Sequence, residues 1–422
     1  MIRWRSILAC TLIIVLALAF STSMAYADKV LKVGVMGPMT GPAAKVGEEF
    51  RNSAQMAFEK IGYKIGDYKI EIVWIDSQSD PAKATNAYSE AVERGGIQAG
   101  IMNWHSSVAV AVMEVTAQYK IPHFGGMGAA STVNDKWRGN PEKYNYWAGK
   151  GWPYPAKLIV GYIDVLNDAI ESGRWKPKQK LVAVACEETD WGRDICKGFV
   201  EQFKAAGWEV FSEDYYPIGQ TDFYPLMSKF KDAGVTAVGT SSAAAPVSSA
   251  FIKQASEVGV SRNAIIVCDG LGWVGEWYKL TGRASDGVID MIPQLTTPAS
   301  KAWAEAFEKK YGFKPSPSSG GLTYDMVNIW VKTAKRALEK HGKLDSESIH
   351  EVFVSELQTG KLTYTAAEGA IIMNRFRYLP ETNPDPVVGR EDFYFPVIQY
   401  KGGEGVIVHP PDWKEAELVL PK

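Results

Sequence analysis

The chain is poor in cysteine and carries no surplus of either charge. Four cysteines are spread over 422 residues, too few for a fold held together by disulfide bonds. The 46 Lys and Arg residues are balanced by 48 Asp and Glu residues, whereas a nucleic-acid-binding protein carries a basic excess. The 39 glycines and 22 prolines are too scattered for a fibrous protein. These absences leave a soluble globular protein, long enough for two or three average domains.

Motifs that commonly reveal enzymes are also missing. We find no Walker Lys-Ser/Thr after a glycine loop, no His-Glu-x-x-His and no Gly-x-Ser-x-Gly. His105 precedes two serines, but adjacency in sequence does not aim a base at a hydroxyl group. No Cys/His pair has the spacing of a zinc site. We therefore predict a protein that is not an enzyme and has no catalytic residues, no cofactor and no metal.

Residues 1–27 have the pattern of a secretory signal peptide. Two arginines near the start precede an apolar run over residues 7–20, and Ala25-Tyr26-Ala27 matches a small-residue cleavage site. An uncleaved anchor is the alternative, but the run is shorter than the ~20 residues that span a bilayer. We predict cleavage after Ala27 and export to the periplasm.

Three cysteines follow the predicted signal peptide: Cys186, Cys196 and Cys268. An exported protein can form a disulfide, and the strand–helix spacing of Cys186 and Cys196 permits one. We favour buried free thiols, and the pairing stays open at this point.

The remaining chain alternates strand-like and helix-like segments. Val30–Met36 alternates as a strand does, Gly47–Ile61 has helical spacing of apolar residues, and the alternation continues to Phe124. Within this part, Asp80-Pro81 predicts a helix start, with Asp as the cap and Pro in the first turn. A similar series restarts near residue 157, and the chain ends with predicted helices over 320–341 and 346–356 and a predicted strand over 393–400. We predict an α/β fold with two Rossmann-like lobes, each a parallel-rich sheet with helices on both faces, joined by a multi-strand hinge. The predicted lobes are residues 28–149 with about 295–365, and residues 150–294 with about 366–422, with a ligand cleft between them.

Small and polar residues cluster in the loops that follow the predicted strands. Ligands of open α/β sheets bind beyond the carboxyl ends of the strands, so these loops are candidates for the site. They are Gly37–Pro42, Asp76–Pro81, Trp104–Val108, Gly125–Ser131, Asp190–Gly192 and Asp269–Gly270.

The ordered series resembles the leucine/isoleucine/valine-binding family, exported receptors of ABC importers with the type I two-lobed fold. The shared patterns are G-P-x-T-G-P, D-S-x-x-D-P, S-S-V, I-P and D-x-G, in this order along the chain. The resemblance implies a monomer that holds a small ligand between its lobes and delivers it to a membrane permease.

The resemblance also implies where a ligand carboxylate binds. The serine that opens a first-lobe helix corresponds to Ser106, and the following loop corresponds to Ala129 and Ser131. Unpaired N–H groups at a helix N-terminus attract anions, and Ser107 adds a second hydroxyl group. The alternative is that Ser106 only caps its helix.

Aromatic and acidic residues complete the predicted site. The resemblance implies that Trp191 closes over the ligand and that Asp269 pairs with a ligand ammonium group. The alternatives are ordinary packing for Trp191 and a turn role for Asp269. Trp104 and His105 adjoin the serine, and Trp152 lies in the first crossing between lobes, so aromatic walls are expected.

These observations predict an exported receptor of an ABC importer for a carboxylate-bearing small molecule. The ligand is a branched-chain or other hydrophobic amino acid, or an aromatic or hydrophobic carboxylate without an amine. The alternative is a periplasmic sensor of the same fold that signals to a partner protein.

Overall fold

A computed structural model of the chain describes residues 29–421. The predicted signal peptide lies outside these residues. The described chain forms two large sheets and one small one. We name the part built on the first large sheet the first lobe and the part built on the second large sheet the second lobe.

The first lobe begins with five strands in the order β2-β3-β1-β4-β5. All neighbours are parallel except the short strand β2, which runs antiparallel to β3. The elements are β1 (Lys29–Gly37), α1 (Ala44–Lys60), β2 (Lys64–Ile65), β3 (Tyr68–Asp76), α2 (Pro81–Glu93), β4 (Ala99–Ile101), α3 (Ser106–Tyr119), β5 (His123–Phe124), α4 (Ser131–Gly139) and α5 (Pro141–Tyr144).

The second lobe contains a seven-stranded sheet in the order β14-β13-β10-β9-β8-β6-β7. Its strands are parallel from β7 to β10, and the last two are antiparallel. The elements are α6 (Ile159–Glu171), β6 (Leu181–Glu187), α7 (Asp190–Ala205), β7 (Glu209–Tyr216), α8 (Tyr224–Ala233), β8 (Ala237–Ser241), α9 (Ala245–Val258), β9 (Ile265–Asp269), α10 (Trp277–Thr281), β10 (Ile289–Met291), β13 (Val397–Lys401) and β14 (Glu404–His409).

Between β10 and β13 the chain returns to the first lobe. The segment contains α11 (Pro298–Tyr311), α12 (Thr323–His341), α13 (Ser346–Val352), β11 (Tyr364–Thr365) and β12 (Arg375–Phe376). Both α11 and α12 pack against α1. The described chain therefore crosses between the lobes three times: between α5 and α6, between β10 and α11, and between β12 and β13. The residue boundaries predicted for the lobes stay a prediction.

Local sequence signals explain where several elements begin. The Asp80 carboxylate accepts a hydrogen bond of 2.9 Å from Lys83 N, and Pro81 occupies the first position of α2. This cap confirms the prediction from the Asp-Pro pair. Thr189 caps α7 in the same manner through Gly192 N at 3.1 Å.

Three predicted elements differ from the structure. The helix predicted over 320–341 begins as a wider π-helical turn at Pro317–Leu322, and that over 346–356 ends in another at Phe353–Leu357. The strand predicted at 393–400 begins only at Val397, and the unpredicted β14 follows it across the turn Gly402-Gly403. Two successive glycines with positive φ allow this tight reversal.

A buried ion pair joins the first and last crossings. Lys150 Nζ lies 2.8 Å from Asp385 Oδ1, and both side chains are fully buried. Burial alone would raise the pKa of Asp385, but the ammonium groups of Lys150 and Lys157 outweigh it and hold that pKa below its ordinary value. Lys150 Nζ also donates to Ala129 O at 3.1 Å, which connects the hinge to the loop before α4.

Two further observations concern the chain as a whole. Cys186, Cys196 and Cys268 are buried free thiols, as the sequence favoured. Within residues 29–421, none of the helices combines the length and apolar character needed to cross a bilayer.

Candidate ligand-binding site

A cavity lies between the lobes at the carboxyl ends of their strands. Its volume is about 20 Å³, room for a single water molecule. The first lobe and first crossing contribute five lining residues and the second lobe three. They are Trp104, His105, Ser106, Met127, Trp152, Trp191, Ala243 and Trp273. A larger solute therefore enters only when rings or lobes move apart.

Four tryptophans from four separate segments of the chain fill this space. Trp273 is the centre: its ring centroid lies 5.2 Å from that of Trp104, 5.9 Å from Trp152 and 5.7 Å from Trp191. The contacts to Trp104 and Trp152 are edge-to-face, an arrangement that favours attraction between ring edge and ring face. The cavity wall is therefore mainly aromatic, as the sequence led us to expect.

Two indole groups have partners that fix their orientation. Trp104 Nε1 donates to Ala243 O at 2.9 Å, which directly connects the first lobe to the second. Trp191 Nε1 donates to Ser241 Oγ at 2.9 Å within the second lobe. Ala243 is itself fixed by a second hydrogen bond, because the buried Glu187 carboxylate accepts from Ala243 N at 2.8 Å.

The first-lobe wall is the start of α3. Ser106 Oγ accepts from Ala130 N at 3.0 Å, so this hydroxyl group anchors the loop before α4 and keeps its own hydrogen to donate. No side chain caps α3, and His105 precedes it with extended backbone. The first N–H groups of a helix have no partner within the helix and favour an anion, and Ser106, the first residue of α3, lines the cavity.

Three buried nitrogen atoms of lining residues have no partner among the described residues: His105 Nε2, Trp152 Nε1 and Trp273 Nε1. Burial lowers the pKa of His105 to about 4, so this imidazole is neutral near pH 7. The lining therefore combines two unpartnered indole N–H donors and a neutral imidazole with apolar rings, and it contains no carboxylate, lysine or arginine. Such a surface suits a flat, apolar solute with an acceptor group.

Asp269 does not line the cavity. It is fully buried at the end of β9, where Tyr162 Oη donates to its Oδ2 at 2.9 Å. Burial and the nearby Asp290 carboxylate raise the pKa of Asp269 well above its ordinary value. A buried carboxyl group that bonds to Tyr162 and does not line the cavity is not placed to pair with a ligand ammonium group.

The other predicted residues lie beside the cavity. Ser131 N and Oγ donate to the Asp194 carboxylate of α7 at 2.6 and 3.0 Å, which joins the lobes at the edge of the cleft. Ala129 O accepts from Lys150, and Ser107 is half-buried on α3. Neither Ser107, Ala129 nor Ser131 is among the lining residues.

Trp273 and Met127 line the cavity without having been singled out from the sequence. Trp273 lies in a loop with the spacing Gly270-x-Gly272-x-x-Gly275, which often marks dinucleotide sites when a long helix follows. Here α10 has only five residues. A Cβ on Gly272 would lie 2.2 Å from Tyr400 Oη, and one on Gly275 would lie 1.8 Å from Lys314 O. The glycines therefore permit close packing of this loop.

Known proteins share both the sequence pattern and the fold. A family model described as periplasmic binding protein matches residues 30–377. Leu/Ile/Val-binding protein homolog 6 of Brucella abortus (strain 2308) is 28% identical over 259 residues. That match covers 61% of this chain and 62% of the relative, so the chain spans less than two thirds of the relative's length.

Two solved structures show the same architecture. The leucine-binding protein LivK of Thermotoga maritima has a TM-score of 0.70 at 20% identity, covering 90% of this chain and 99% of that chain. A solute-binding protein of an ABC transporter from R. palustris, in complex with benzoate, has a TM-score of 0.73 at 18% identity, covering 90% and 95%. These similarities confirm the predicted fold of two α/β lobes.

Proposed function

The chain belongs to the periplasmic binding protein family, and from that premise we propose that it is an exported receptor that captures an amine-free aromatic carboxylate for an ABC importer. The observation that carries the proposal is the lining of the cavity: four tryptophans, an uncapped helix start and no acidic side chain. It acts without chemical conversion of the solute, as a monomer that hands it to a membrane permease.

The absence of an acid from the lining separates the two ligand classes that the sequence left open. An amino acid brings an ammonium group into the cleft, and burying that charge without a partner is costly. A benzoate-like acid brings only an anion, which the N–H groups at the start of α3 and the Ser106 hydroxyl group can bind. Its ring adds apolar area against the tryptophans.

Binding requires a population shift. Because the described cavity holds about one water molecule, the solute enters an open form and the lobes then close around it. Closure is favoured only to the extent that the solute binds the closed form better than the open form.

A thermal-shift screen of the ligand-stripped mature protein, residues 28–422, tests the ligand class. We expect benzoate and 4-hydroxybenzoate to raise the melting temperature, whereas leucine and phenylalanine do not. Saturation at ~100 times the dissociation constant adds about 2.7 kcal/mol of stability. Stabilisation by the amino acids alone would contradict the proposed class, and no response to any acid would contradict the receptor function.

Two serines at the start of α3 provide matched variants. Ser106→Ala removes a cavity-lining hydroxyl group, and we expect benzoate affinity to fall about tenfold, the loss of one charge-assisted hydrogen bond. Ser107→Ala changes a serine that does not line the cavity, and affinity should stay within a factor of two. Equal affinities of both variants in calorimetry would remove Ser106 from the site.

A further inference from the structure

A buried glutamate of the first lobe binds the loop that carries Trp273. Glu49 lies on α1 and is 1% exposed. Its Oε1 accepts from Gly275 N of the second lobe at 2.7 Å. Its Oε2 accepts from Ser316 N at 2.9 Å and from Ser319 Oγ at 2.7 Å. One carboxyl group therefore joins both lobes behind the cavity.

The same two serines hold the backbone around Trp273. Ser316 Oγ donates to Gly272 O at 2.7 Å, and Ser319 Oγ lies within hydrogen-bond distance of Trp273 O. The segment is thus bonded to the first lobe at Gly272, Trp273 and Gly275. The ring of Trp273 contacts the other three cavity tryptophans, so its position depends on this attachment.

When Glu49 is ionised, this network has fewer donor hydrogens than it has acceptors to satisfy. The Ser319 hydroxyl group has one hydrogen, but two acceptors lie within reach, Glu49 Oε2 and Trp273 O. A proton on Glu49 resolves the conflict, because Glu49 then donates to Ser319 Oγ while Ser319 donates to Trp273 O. Burial also raises the pKa of Glu49 to about 7, against the opposing bonds from Gly275, Ser319 and Ser316.

We propose that Glu49 is a positioning residue that latches the Trp273 loop to the first lobe, and that lobe closure takes up a proton at its carboxyl group. The proposal rests on the proposed function for the role of the cavity, but closure itself can be measured without a ligand. The charged groups near this contact are already paired: Glu276 lies 2.8 Å from Lys45 and 3.0 Å from Lys279, and Lys45 also lies 3.3 Å from Glu48.

The sign of the pH effect follows from the two states. Opening breaks the bond from Gly275 N and admits water, while Ser316 and Ser319 of the first lobe stay beside the carboxyl group, so we infer that the pKa of Glu49 falls from about 7 in closed lobes toward its ordinary value of 4.5 in open lobes. The closed form therefore binds the proton more tightly, and acidification through this interval favours closure by at most about tenfold per pH unit. From pH 7.5 to pH 5.5 the closed-to-open ratio should rise severalfold through Glu49 alone, and by roughly 20-fold if opening restores its ordinary pKa in full.

Distances between spin labels on the two lobes measure this ratio in the ligand-free mature protein. Ala82→Cys on α2 and Glu201→Cys on α7 place labels at exposed positions, while the native cysteines are buried. The comparison is with the same protein carrying Glu49→Gln, which stays neutral. The effect of Glu49 is the closed-to-open ratio of the wild-type background divided by that of Glu49→Gln. On acidification this effect should rise severalfold, with roughly 20-fold as its upper limit.

Dividing the two ratios cancels the effect of other titrating groups on closure. His105, whose pKa falls to about 4 in the closed cavity, opposes closure on acidification, but it does so equally in both proteins. Glu59→Gln is the matched control, since Glu59 is also on α1 and pairs with Lys310 of α11 within the first lobe. The closed-to-open ratio of wild type divided by that of Glu59→Gln should not change with pH.

A second variant tests the latch separately from the proton. Ser319→Ala leaves Glu49 in place but removes the bridge to Trp273 O, and we expect the closed population to fall severalfold at both pH values. If the closed-to-open ratio of wild type divided by that of Glu49→Gln does not change with pH, proton uptake on closure is overturned. An unchanged closed population in Ser319→Ala overturns the latch. Neither result depends on a ligand, so both differ from a failed ligand screen.

Discussion

Gly275 is the position at which a single methyl group should block closure without disturbing either lobe. A Cβ at Gly275 would lie 1.8 Å from Lys314 O and 2.7 Å from Pro315 C. Gly275 is not among the glycines with positive φ, so alanine suits its backbone. The methyl group of Gly275→Ala therefore collides only with the first-lobe segment that approaches it on closure.

The structure gives the size of this effect. The obstacle is a backbone carbonyl group, which cannot rotate away as the end of a flexible side chain can. Forcing a methyl group into such a packed contact costs about 1–3 kcal/mol. Because 1.4 kcal/mol is a factor of ten, solute affinity should fall about 5- to 150-fold.

Calorimetry with a solute from the thermal-shift screen measures the affinity, and urea unfolding of the ligand-free protein shows that the fold is retained. Gly139→Ala is the matched control, since nothing lies within 4 Å of its Cβ position. We expect Gly139→Ala to bind as wild type does. Wild-type affinity in Gly275→Ala would refute the inference that this contact forms in the solute-bound state.

Three further predictions concern the hinge, the second-lobe core and the cleft edge. Lys150→Met leaves the buried Asp385 carboxylate without its closest partner and should lower the free energy of unfolding by about 3–5 kcal/mol in urea titrations. Since Lys150 helps to hold the pKa of Asp385 below its ordinary value of 3.8, wild type should lose stability as pH falls below that value, and the variant should lose less. Asp269→Asn should change benzoate affinity less than threefold, because its carboxyl group bonds to Tyr162; a tenfold loss in calorimetry would return it to the site. Ser131→Ala removes one of the two hydrogen bonds from Ser131 to Asp194 and should weaken affinity in calorimetry about fivefold, the equivalent of about 1 kcal/mol.

Predictions from local signals were the most accurate for the fold. The Asp80-Pro81 pair specifies the start of α2, because capping needs only residues that are adjacent in sequence. The strand β14 was missed because hairpin pairing depends on the turn Gly402-Gly403 rather than on an apolar run. The π-helical turn at Pro317–Leu322 was missed for a similar reason: it is shaped by contacts to α1 and to the Trp273 loop.

For the site, the sequence identified the loops better than the side chains. Trp104, His105, Ser106 and Trp191 line the cavity, and each adjoins a predicted strand end or helix start. Asp269 also lies at a strand end, but its side chain points to Tyr162. Successive residues of a strand face opposite sides of a sheet, so one position decides between cavity and core. Trp273 lies four residues further on, at the end of a short 3-10 helix (Leu271–Trp273) that changes the direction of the chain.

The small cavity and the contacts between lobes together constrain what a solute can change. Trp104 to Ala243, Ser131 to Asp194 and Glu49 to Gly275 are all bonded with the cavity nearly filled by indole rings. An apolar cavity of about 150 Å³ is of the size that admits benzene, so an aromatic acid must displace rings as well as open the cleft. Its binding free energy is therefore reduced by the stability of the self-filled closed form. The loop that carries Trp273 therefore influences affinity in two ways. It forms part of the wall of the site, and its indole ring also fills space that the solute must occupy.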